Sequence, residues 1–364
     1  MDVGVLHSFA NIGMPDNEVV AREIEIAEMA EPLGYHHIGA VEHHFFDYAI
    51  SPANFQLLAY MSAKTKHIKL LTGAVILPWN DPLRVIEQIT FLDHLSKGRV
   101  LFGVGRGLAR REYKAFQLDM NEARERFDEA TEVVMRGVET GVIEGKGRFY
   151  GRPPLQLRPR PYASFRNRTY VVANSADSVP VVVSAAARMM CFATKPWHAM
   201  ANHFNEFRRQ YEASHGEAAP PPLCADIIVC DESTDRAREL AEKYMAAQYA
   251  LTIEHYELLG EHFAQTKGYG DHAAVADALR SAGQEAAAKN FVDICLVGTP
   301  THILEKLDQR RNVVGDFDET LSFLFGGIPV EAARSGIRLF ASKALPELKS
   351  WRDAVRKAEV ASAR

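Results

Sequence analysis

Two short stretches of the chain place chemically active side chains directly after apolar segments. Residues 100–104 run into Gly105-Arg106-Gly107, and residues 37–41 run into Glu42-His43-His44. Glycines let a backbone approach a ligand closely, and a guanidinium group offers a fork of donors that matches a phosphate. A histidine that titrates near neutral pH can donate or accept a proton. The two stretches therefore predict an anion clamp and an acid–base group at one active site.

Two histidines beside a carboxylate also raise the possibility of zinc, but their spacing argues against it. The helical zinc motif is H-E-x-x-H, whereas Glu42, His43 and His44 are contiguous at the end of a predicted strand. Alternation along the strand sends the two imidazoles in opposite directions, so only one can easily face a cavity. We expect no metal here, and histidines that merely pack and form hydrogen bonds are the other alternative.

Further residues could bind the same anion as Arg106. The stretch around Arg106 is not a dinucleotide fingerprint, because Leu108 stands where G-x-G-x-x-G requires glycine. Arg124 is either a second phosphate ligand or part of a solvated helix face. The turn 174–178 follows a predicted strand and opens a helix, which is typical of an anion site but equally of an ordinary N-cap. Together the three positions predict one phosphorylated ligand.

These side chains need a scaffold that brings strand ends together, and the alternation of elements supplies one. We predict strands at 3–9, 37–41, 68–77, 100–104, 169–173, 189–193, 225–230 and 321–325, each followed by a helix. Continuous apolar strands joined by helices indicate a parallel sheet covered on both faces. About eight such units favour an α/β fold of the closed (β/α)₈ TIM-barrel type, with active groups at the carboxyl ends of the strands. An open, doubly wound sheet is the alternative.

Two segments depart from this rhythm within what we predict to be a single domain over residues 1–364. Residues 141–167 are rich in Gly, Pro and Arg and predict an excursion from the barrel. Residues 252–290 contain no obvious strand and predict a long, lid-like insertion before the last βα unit, which would act as a mobile active-site loop. A surface decoration without function is the alternative for this second segment.

Composition excludes several classes of protein. The 364 residues carry a net charge of −5, so no basic excess exists to bind nucleic acid. No apolar run is long enough for a signal peptide or a membrane span. The four cysteines show no C-x-x-C spacing, which favours reduced thiols in the cytoplasm over a disulfide or zinc site.

The motifs, taken together, resemble those of the bacterial luciferase-like flavin-dependent monooxygenases, in particular the luciferase catalytic subunit. The resemblance covers most of the chain and is densest over residues 34–195. It is carried by Glu42-His43-His44, Leu77-Pro78 with Asp81-Pro82, and the stretches 92–99, 103–108, 171–176, 265–269 and 297–300.

The resemblance implies a reaction as well as a fold. The cofactor would be reduced FMN (FMNH₂) supplied by a separate NAD(P)H:flavin reductase. O₂ would add at C4a of the flavin, and the resulting (hydro)peroxide would oxygenate a hydrophobic organic substrate, such as an aldehyde, a ketone or an aromatic compound. A homodimer formed through the helix near residues 82–95 is also implied.

The resemblance further assigns roles to individual residues. His43 matches the catalytic histidine, and a non-prolyl cis peptide under the isoalloxazine ring matches Gly73-Ala74. The surroundings of the flavin phosphate match Arg106, Arg124, Asn174, Ser175 and Ser178. Two departures are notable: Gly105 replaces a cysteine of the light-emitting enzymes, and Asn174 replaces a glutamate. Flavin binding is therefore expected, and light emission is not.

The substrate would lie at the barrel mouth, in a pocket that we assign to Glu42, His44, Phe46, Trp79 and Tyr113. The aromatic residues among them would form its apolar walls, with Phe45, Tyr48 and Trp197 as further candidates. Two other functions are compatible with the same barrel. One is a deazaflavin (F420)-dependent oxidoreductase that transfers hydride without oxygen, and the other is a non-catalytic flavin-binding subunit.

Overall fold

A computed structural model describes residues 1–352 of the chain. The strands are β1 (Val3–His7), β2 (His37–Ala40), β3 (Lys69–Thr72), β4 (Val75–Ile76), β5 (Val100–Gly105), β6 (Val142–Gly145), β7 (Arg152–Gln156), β8 (Thr169–Val172), β9 (Arg188–Phe192), β10 (Leu223–Cys230), β11 (Leu296–Gly298) and β12 (Asp318–Ser322).

The α-helices are α1 (Asp16–Ala30), α2 (Asn54–Lys64), α3 (Pro82–Ser96), α4 (Arg110–Ala115), α5 (Ala123–Thr140), α6 (Val179–Ser184), α7 (Trp197–His215), α8 (Thr234–His255), α9 (His262–Gln265), α10 (Gly270–Ala282), α11 (Gln284–Ile294), α12 (Pro300–Val314) and α13 (Val330–Lys343). Short 3₁₀ turns cover Leu77–Trp79, Met120–Glu122 and Ala176–Ser178.

Eight of the strands close into a parallel barrel. Their order is β1-β2-β3-β5-β8-β9-β10-β12, and β12 pairs back onto β1, with Val5 opposite Leu321. β10 completes the ring because it pairs with both β9 and β12. The (β/α)₈ TIM barrel predicted from the sequence is thereby confirmed, and the open sheet is excluded.

Strand β5 shows why these sequences form barrel strands. Val100, Phe102 and Val104 belong to the large core between barrel and helices, whereas Leu101 packs inside the barrel with Leu71, Tyr170, Met190 and Leu223. A continuous apolar run therefore buries both faces. Gly103 permits the close contact of β5 with β3, since a Cβ there would lie 2.1 Å from the Thr72 carbonyl oxygen.

The structure refines several predicted elements. The predicted strand 68–77 is two strands, β3 and β4, divided at Gly73. The excursion 141–167 contains the antiparallel hairpin β6–β7. Residues 252–290 lie between barrel strands β10 and β12, as predicted, but they form the end of α8, then α9, α10 and most of α11. Their mobility remains a prediction.

Candidate functional site

Polar side chains from several loops meet at the carboxyl end of the barrel. Residues 42–44 follow β2, Arg106 follows β5, and the turn 174–178 follows β8. Because all barrel strands are parallel, these loops share one rim. The site they form has two parts, a histidine cluster and a group of cations.

His43 lies between a buried carboxylate and a tyrosine hydroxyl. Its Nδ1 is 3.2 Å from Oε1 of Glu112, which is 1% exposed, and its Nε2 is 3.3 Å from the Tyr256 hydroxyl. Glu112 Oε1 also accepts the backbone N–H of His44 at 2.8 Å. Since a carboxylate only accepts hydrogen bonds, Nδ1 carries the proton and Nε2 presents its lone pair. His43 is thus held in the tautomer whose Nε2 can act as a base.

His255 completes the histidine cluster from the end of α8. The side chain is fully buried, stacks on Tyr48 at a centroid distance of 4.7 Å, and places Nε2 3.7 Å from Glu112 Oε1. Burial, together with the neighbouring His43 and Arg111, lowers the pKa of His255 to about 2. His255 is therefore neutral at physiological pH.

Glu42 organises the loop that follows β4. Its buried carboxylate accepts hydrogen bonds from Trp79 Nε1 at 2.7 Å, Asn80 Nδ2 at 2.9 Å and the Ile76 N–H at 3.2 Å, and His44 Nε2 lies 3.4 Å away. The residue was predicted to line the substrate pocket. Its contacts make it an anchor for the wall that carries Trp79, and its place in the substrate pocket stays a prediction.

Replacing Glu42 with glutamine should lower the free energy of unfolding by ~1–3 kcal/mol, because an amide NH₂ would then face donors in a buried position. Urea denaturation measures this change. Glu87→Gln, which alters an exposed Arg84–Glu87 pair on α3, is the matched control and should cost less than ~0.5 kcal/mol. Equal effects of the two substitutions would contradict the role given to Glu42.

The wall between the two parts of the site is small and apolar. The peptide bond between Gly73 and Ala74 is cis, and Asn54 donates a hydrogen bond to the Ala74 carbonyl oxygen at 3.3 Å. A Cβ at Gly105 would lie 3.1 Å from Ile76 Cδ1, 3.5 Å from Val172 Cγ2 and 3.6 Å from Ala74 Cβ. A side chain at position 105 would therefore crowd this wall.

The second part of the site gathers guanidinium groups near one exposed carboxylate, because Arg124 Nη1 is 4.0 Å from Oδ1 of Asp128, whose side chain is 49% exposed. Arg124 Nη2 is 3.3 Å from the Ser178 hydroxyl, which lies 3.0 Å from that of Ser175. Burial first, and then the nearby Arg106, lowers the pKa of Arg124. Arg106 Nη1 is buried and, within residues 1–352, has no hydrogen-bond partner. A buried donor without a partner beside a second guanidinium indicates a place for an anion.

Lys195, which the sequence analysis did not single out, adds a third positive charge. Its Nζ donates to the Asn174 carbonyl oxygen at 3.3 Å, while Asn174 Oδ1 accepts the Phe192 N–H at 3.0 Å. The Asn174 side chain is therefore used by the neighbouring strand, and its carbonyl positions Lys195. Burial, then Arg106 and Lys195, lower the pKa of His272 on α10 to about 4.

This shift predicts an acid-sensitive folded state. His272 has a pKa of 6.5 in the unfolded chain and about 4 in the folded chain. Between pH 6.5 and pH 4 the unfolded chain therefore binds a proton that the folded chain does not, and lowering the pH favours unfolding. The free energy of unfolding should fall by ~2 kcal/mol from pH 7 to pH 5 through this group alone. His272→Gln should remove that part of the loss in urea denaturation, with the exposed His67→Gln as control. Equal acid sensitivity of His272→Gln and the wild type would contradict the prediction.

Comparison with known proteins identifies the family of the chain. The sequence profile of the luciferase-like monooxygenases matches residues 1–316. This chain belongs to the luciferase-like monooxygenase family. The alkanal monooxygenase alpha chain of the Kryptophanaron alfredi symbiont is 23% identical over 347 residues, which are 92% of this chain and 95% of that one.

Solved structures show the same barrel. Monooxygenase RslO1 from Streptomyces bottropensis has a TM-score of 0.79 and 25% identity, covering 96% of this chain and 100% of that one. The oxygenating constituent of 3,6-diketocamphane monooxygenase from Pseudomonas putida, solved with FMN, has a TM-score of 0.75 and 16% identity, over 95% and 98%. An F420-dependent secondary alcohol dehydrogenase has a TM-score of 0.70 and 16% sequence identity, and the match covers 94% of this chain and 97% of that one.

In this luciferase-like monooxygenase, residues 256–282 cover the cation group. The Tyr269 ring lies on the Arg106 guanidinium at 4.1 Å, and its hydroxyl donates to the Gly107 carbonyl oxygen at 3.0 Å. Gly268 fits there because a Cβ would lie 3.1 Å from Arg106 Nη1. Arg110 fastens the start of the segment through two hydrogen bonds to Glu257. Arg106 and Arg124 are thus covered by this segment.

Five of the predicted aromatic wall residues lie near the histidine cluster or Arg106. Tyr48 packs edge-on against His43, Phe46 lies beneath Arg111, and Trp79 stacks on Phe116. Phe45 stands at the rim and is 68% exposed. Tyr113 is buried, and its hydroxyl donates to the Arg106 carbonyl oxygen.

Trp197 belongs elsewhere. It packs against Phe317 at a centroid distance of 5.2 Å and beneath Arg310 at 4.5 Å, between α7 and α12. Its described aromatic and cation contacts link it to that region and not to the His43 cluster.

Sequence reasoning missed Glu112, His255, Tyr256 and Lys195, and it quoted Tyr269 only as part of the motif at 265–269, without a role. The helix α4 that carries Glu112 has six residues, too few to show a helical period. His255 and Tyr256 lie more than 200 positions from His43, and no motif connects them.

Among residues 1–352, none of the helices combines the length and the hydropathy that crossing a membrane requires.

Proposed function

We propose that this chain is the oxygenase component of a two-component monooxygenase that uses reduced FMN and O₂. Its substrate would be a hydrophobic organic compound of the aldehyde, ketone or aromatic class. The observation that carries the proposal is the buried, unpartnered Nη1 of Arg106 beside Arg124, on the same rim as His43. A luciferase-like barrel solved with FMN supports the choice of cofactor.

The residues at the rim fit the phosphate end of FMN. Arg106 and Arg124 supply guanidinium donors, Ser175 and Ser178 supply hydroxyls, and Lys195 adds charge. The small apolar wall made by Gly73, Ala74 and Gly105 suits a flat ring. When bound, reduced FMN would supply the two electrons that activate O₂ for transfer of an oxygen atom to the substrate.

The protein's own contribution is proton control and exclusion of water. Glu112 holds the proton on His43 Nδ1, which leaves Nε2 to accept a proton from the reacting groups or to return it. The Tyr256 hydroxyl is hydrogen-bonded to Nε2, so it lies on the side of the imidazole at which a proton would be exchanged. The rings of Tyr48 and His255, each packed edge-on against His43 at a centroid distance of 4.9 Å, help to keep bulk solvent from this histidine.

Residues 252–290 act as the lid in this proposal. Because Tyr269 lies on Arg106, the segment has to move for a phosphate to reach the guanidinium. Breaking the Arg110–Glu257 and Lys267–Glu125 pairs would release it. Closure would then return Tyr256 to His43.

The chain is expected to work with partners. Reduced FMN would come from a separate NAD(P)H:flavin reductase. Phe91 and Leu95 on α3 are 55% and 50% exposed, which supports the homodimer expected through this helix. The four cysteines are free thiols, which is typical of the cytoplasm, the location that we propose.

Oxygen uptake tests the proposal. The purified protein, supplied with FMN, NADH and a flavin reductase, should consume O₂ and convert members of an aldehyde, ketone and aromatic panel, with product formation abolished without FMN. Hydride transfer from reduced F420 without O₂ uptake would favour the F420-dependent alternative. FMN binding without product from any substrate would favour the non-catalytic subunit.

A further inference from the structure

We propose that His43, Glu112 and His255 form a binding site for a divalent d-block cation, with Zn²⁺ as its occupant. One donor atom from each residue lies within 4.8 Å of the other two. The three residues come from the loop after β2, from α4 and from the end of α8, so only the folded chain brings them together. The argument from sequence spacing against zinc considered only the contiguous residues 42–44 and could not include this set.

The two distances to Glu112 are close to those between zinc ligands, and the two imidazole donors lie within 4.8 Å of each other. Ligand atoms bound to tetrahedral Zn²⁺ at about 2.1 Å lie about 3.4 Å from one another. The contacts of Glu112 Oε1 with His43 Nδ1, at 3.2 Å, and with His255 Nε2, at 3.7 Å, bracket this separation. Two imidazoles and one glutamate also form the ligand set of zinc sites that keep a fourth position open.

His255 provides the second, independent observation. Its side chain is 0% exposed, yet neither ring nitrogen has a hydrogen-bond partner within residues 1–352. The distance of 3.7 Å from Nε2 to Glu112 is too long for a hydrogen bond. A buried imidazole nitrogen that lies near a carboxylate oxygen without bonding to it is an unsatisfied group, and a cation held by both side chains would satisfy it.

Zinc binding would change the tautomer of His43 without net proton release from the protein. The proton now on Nδ1, shared with Glu112, would move to Nε2 as Nδ1 bonds to the metal. Nε2 would then donate to the Tyr256 oxygen instead of accepting from it. The lone pair that the proposed oxygenation needs would be lost, so Zn²⁺ would act as a reversible inhibitor. This consequence, but not the binding itself, rests on the proposed function.

Titration calorimetry of the tag-free, flavin-free full-length protein with ZnCl₂ tests the site. The wild type should bind one Zn²⁺ per chain in this site. His255→Gln and Glu112→Gln should each weaken binding by more than ~100-fold, beyond the ~10–100-fold that loss of an outer partner costs. Circular dichroism establishes that each variant is folded, and two substitutions on different helices keep the test valid if one of them unfolds the protein.

His262→Gln is the matched control. His262 lies in the same segment, is 7% exposed, and also has both ring nitrogens without a partner in the described chain, but it is outside the cluster. This variant should bind Zn²⁺ as the wild type does. Unchanged affinity in His255→Gln, or a wild type with no such stoichiometric site, would overturn the proposal.

A separate activity experiment isolates the inhibitory consequence. Zn²⁺ should lower FMN-supported O₂ turnover of the wild type at the concentration at which calorimetry shows the site filling, and EDTA should restore it. If the protein shows no turnover, the proposed function fails while the calorimetric result stands. If turnover is normal but no zinc binds, only the metal site is wrong.

Discussion

Replacing His43 with alanine should reduce substrate oxygenation by ~10²–10⁴-fold, the usual contribution of a positioned acid–base group. FMN affinity should stay within a factor of about 2, because the cation group is built from other residues. Product formation with a flavin reductase present measures the first quantity, and quenching of FMN fluorescence measures the second.

Two further variants separate the role of His43 from a general disturbance of the site. Tyr256→Phe removes only the hydroxyl that bonds to Nε2, and it should cost less than the loss of the imidazole. His198→Ala, at an exposed position on α7, should leave turnover unchanged. Turnover of His43→Ala equal to that of the wild type would remove His43 from the proposed mechanism.

The barrel could be predicted because its signal is local. Most barrel strands contain an apolar run, and Val100–Val104 buries both of its faces. β12 (Asp318–Ser322) is an exception, because four of its five buried residues are polar. Helices follow the strands, and the starts of some are marked in the sequence. At α3, for example, Asp81 caps the Leu83 N–H and Pro82 occupies the first turn. Such patterns need no knowledge of distant contacts.

The histidine cluster could be predicted only in part, because its members meet through tertiary structure. His43 was found from its place after β2, but Glu112 lies on a helix too short to show a period. His255 is the last residue of α8 and Tyr256 follows it, and no motif in the sequence connects this helix end with His43. Glu112 and His255 become functional candidates because the structure shows them buried beside His43, and no sequence motif marks them.

Asn174 has a structural contact that the sequence did not reveal, and its role at the phosphate stays a prediction. The turn after β8 does lie beside the cations, as Ser178 and Arg124 show. The Asn174 side chain, however, accepts a hydrogen bond from the backbone of Phe192 on the next strand. Sequence alone does not reveal which strand-end amide is already satisfied by a neighbouring strand, and it gave no reason to select Lys195.

Replacing Arg106 with glutamine should weaken FMN binding by ~10–100-fold. A hydrogen bond to a charged partner contributes ~1.5–3 kcal/mol, and each 1.4 kcal/mol is a factor of about ten in affinity. Nη1 of Arg106 is buried and forms no hydrogen bond with any described residue. A phosphate bound there would therefore gain a hydrogen bond without displacing an existing partner. FMN titrations followed by fluorescence or calorimetry measure the change.

Riboflavin, which lacks the phosphate, makes the test specific. If Arg106 binds the phosphate, Arg106→Gln should bind riboflavin as the wild type does, and the loss should appear with FMN alone. Arg126→Gln is the control, because Arg126 lies two residues from Arg124 on α5 but is paired with Glu122 at 2.8 Å. An equal loss for both flavins would mean that Arg106 supports the pocket as a whole. No loss for FMN would place the phosphate elsewhere and overturn the assignment of this rim.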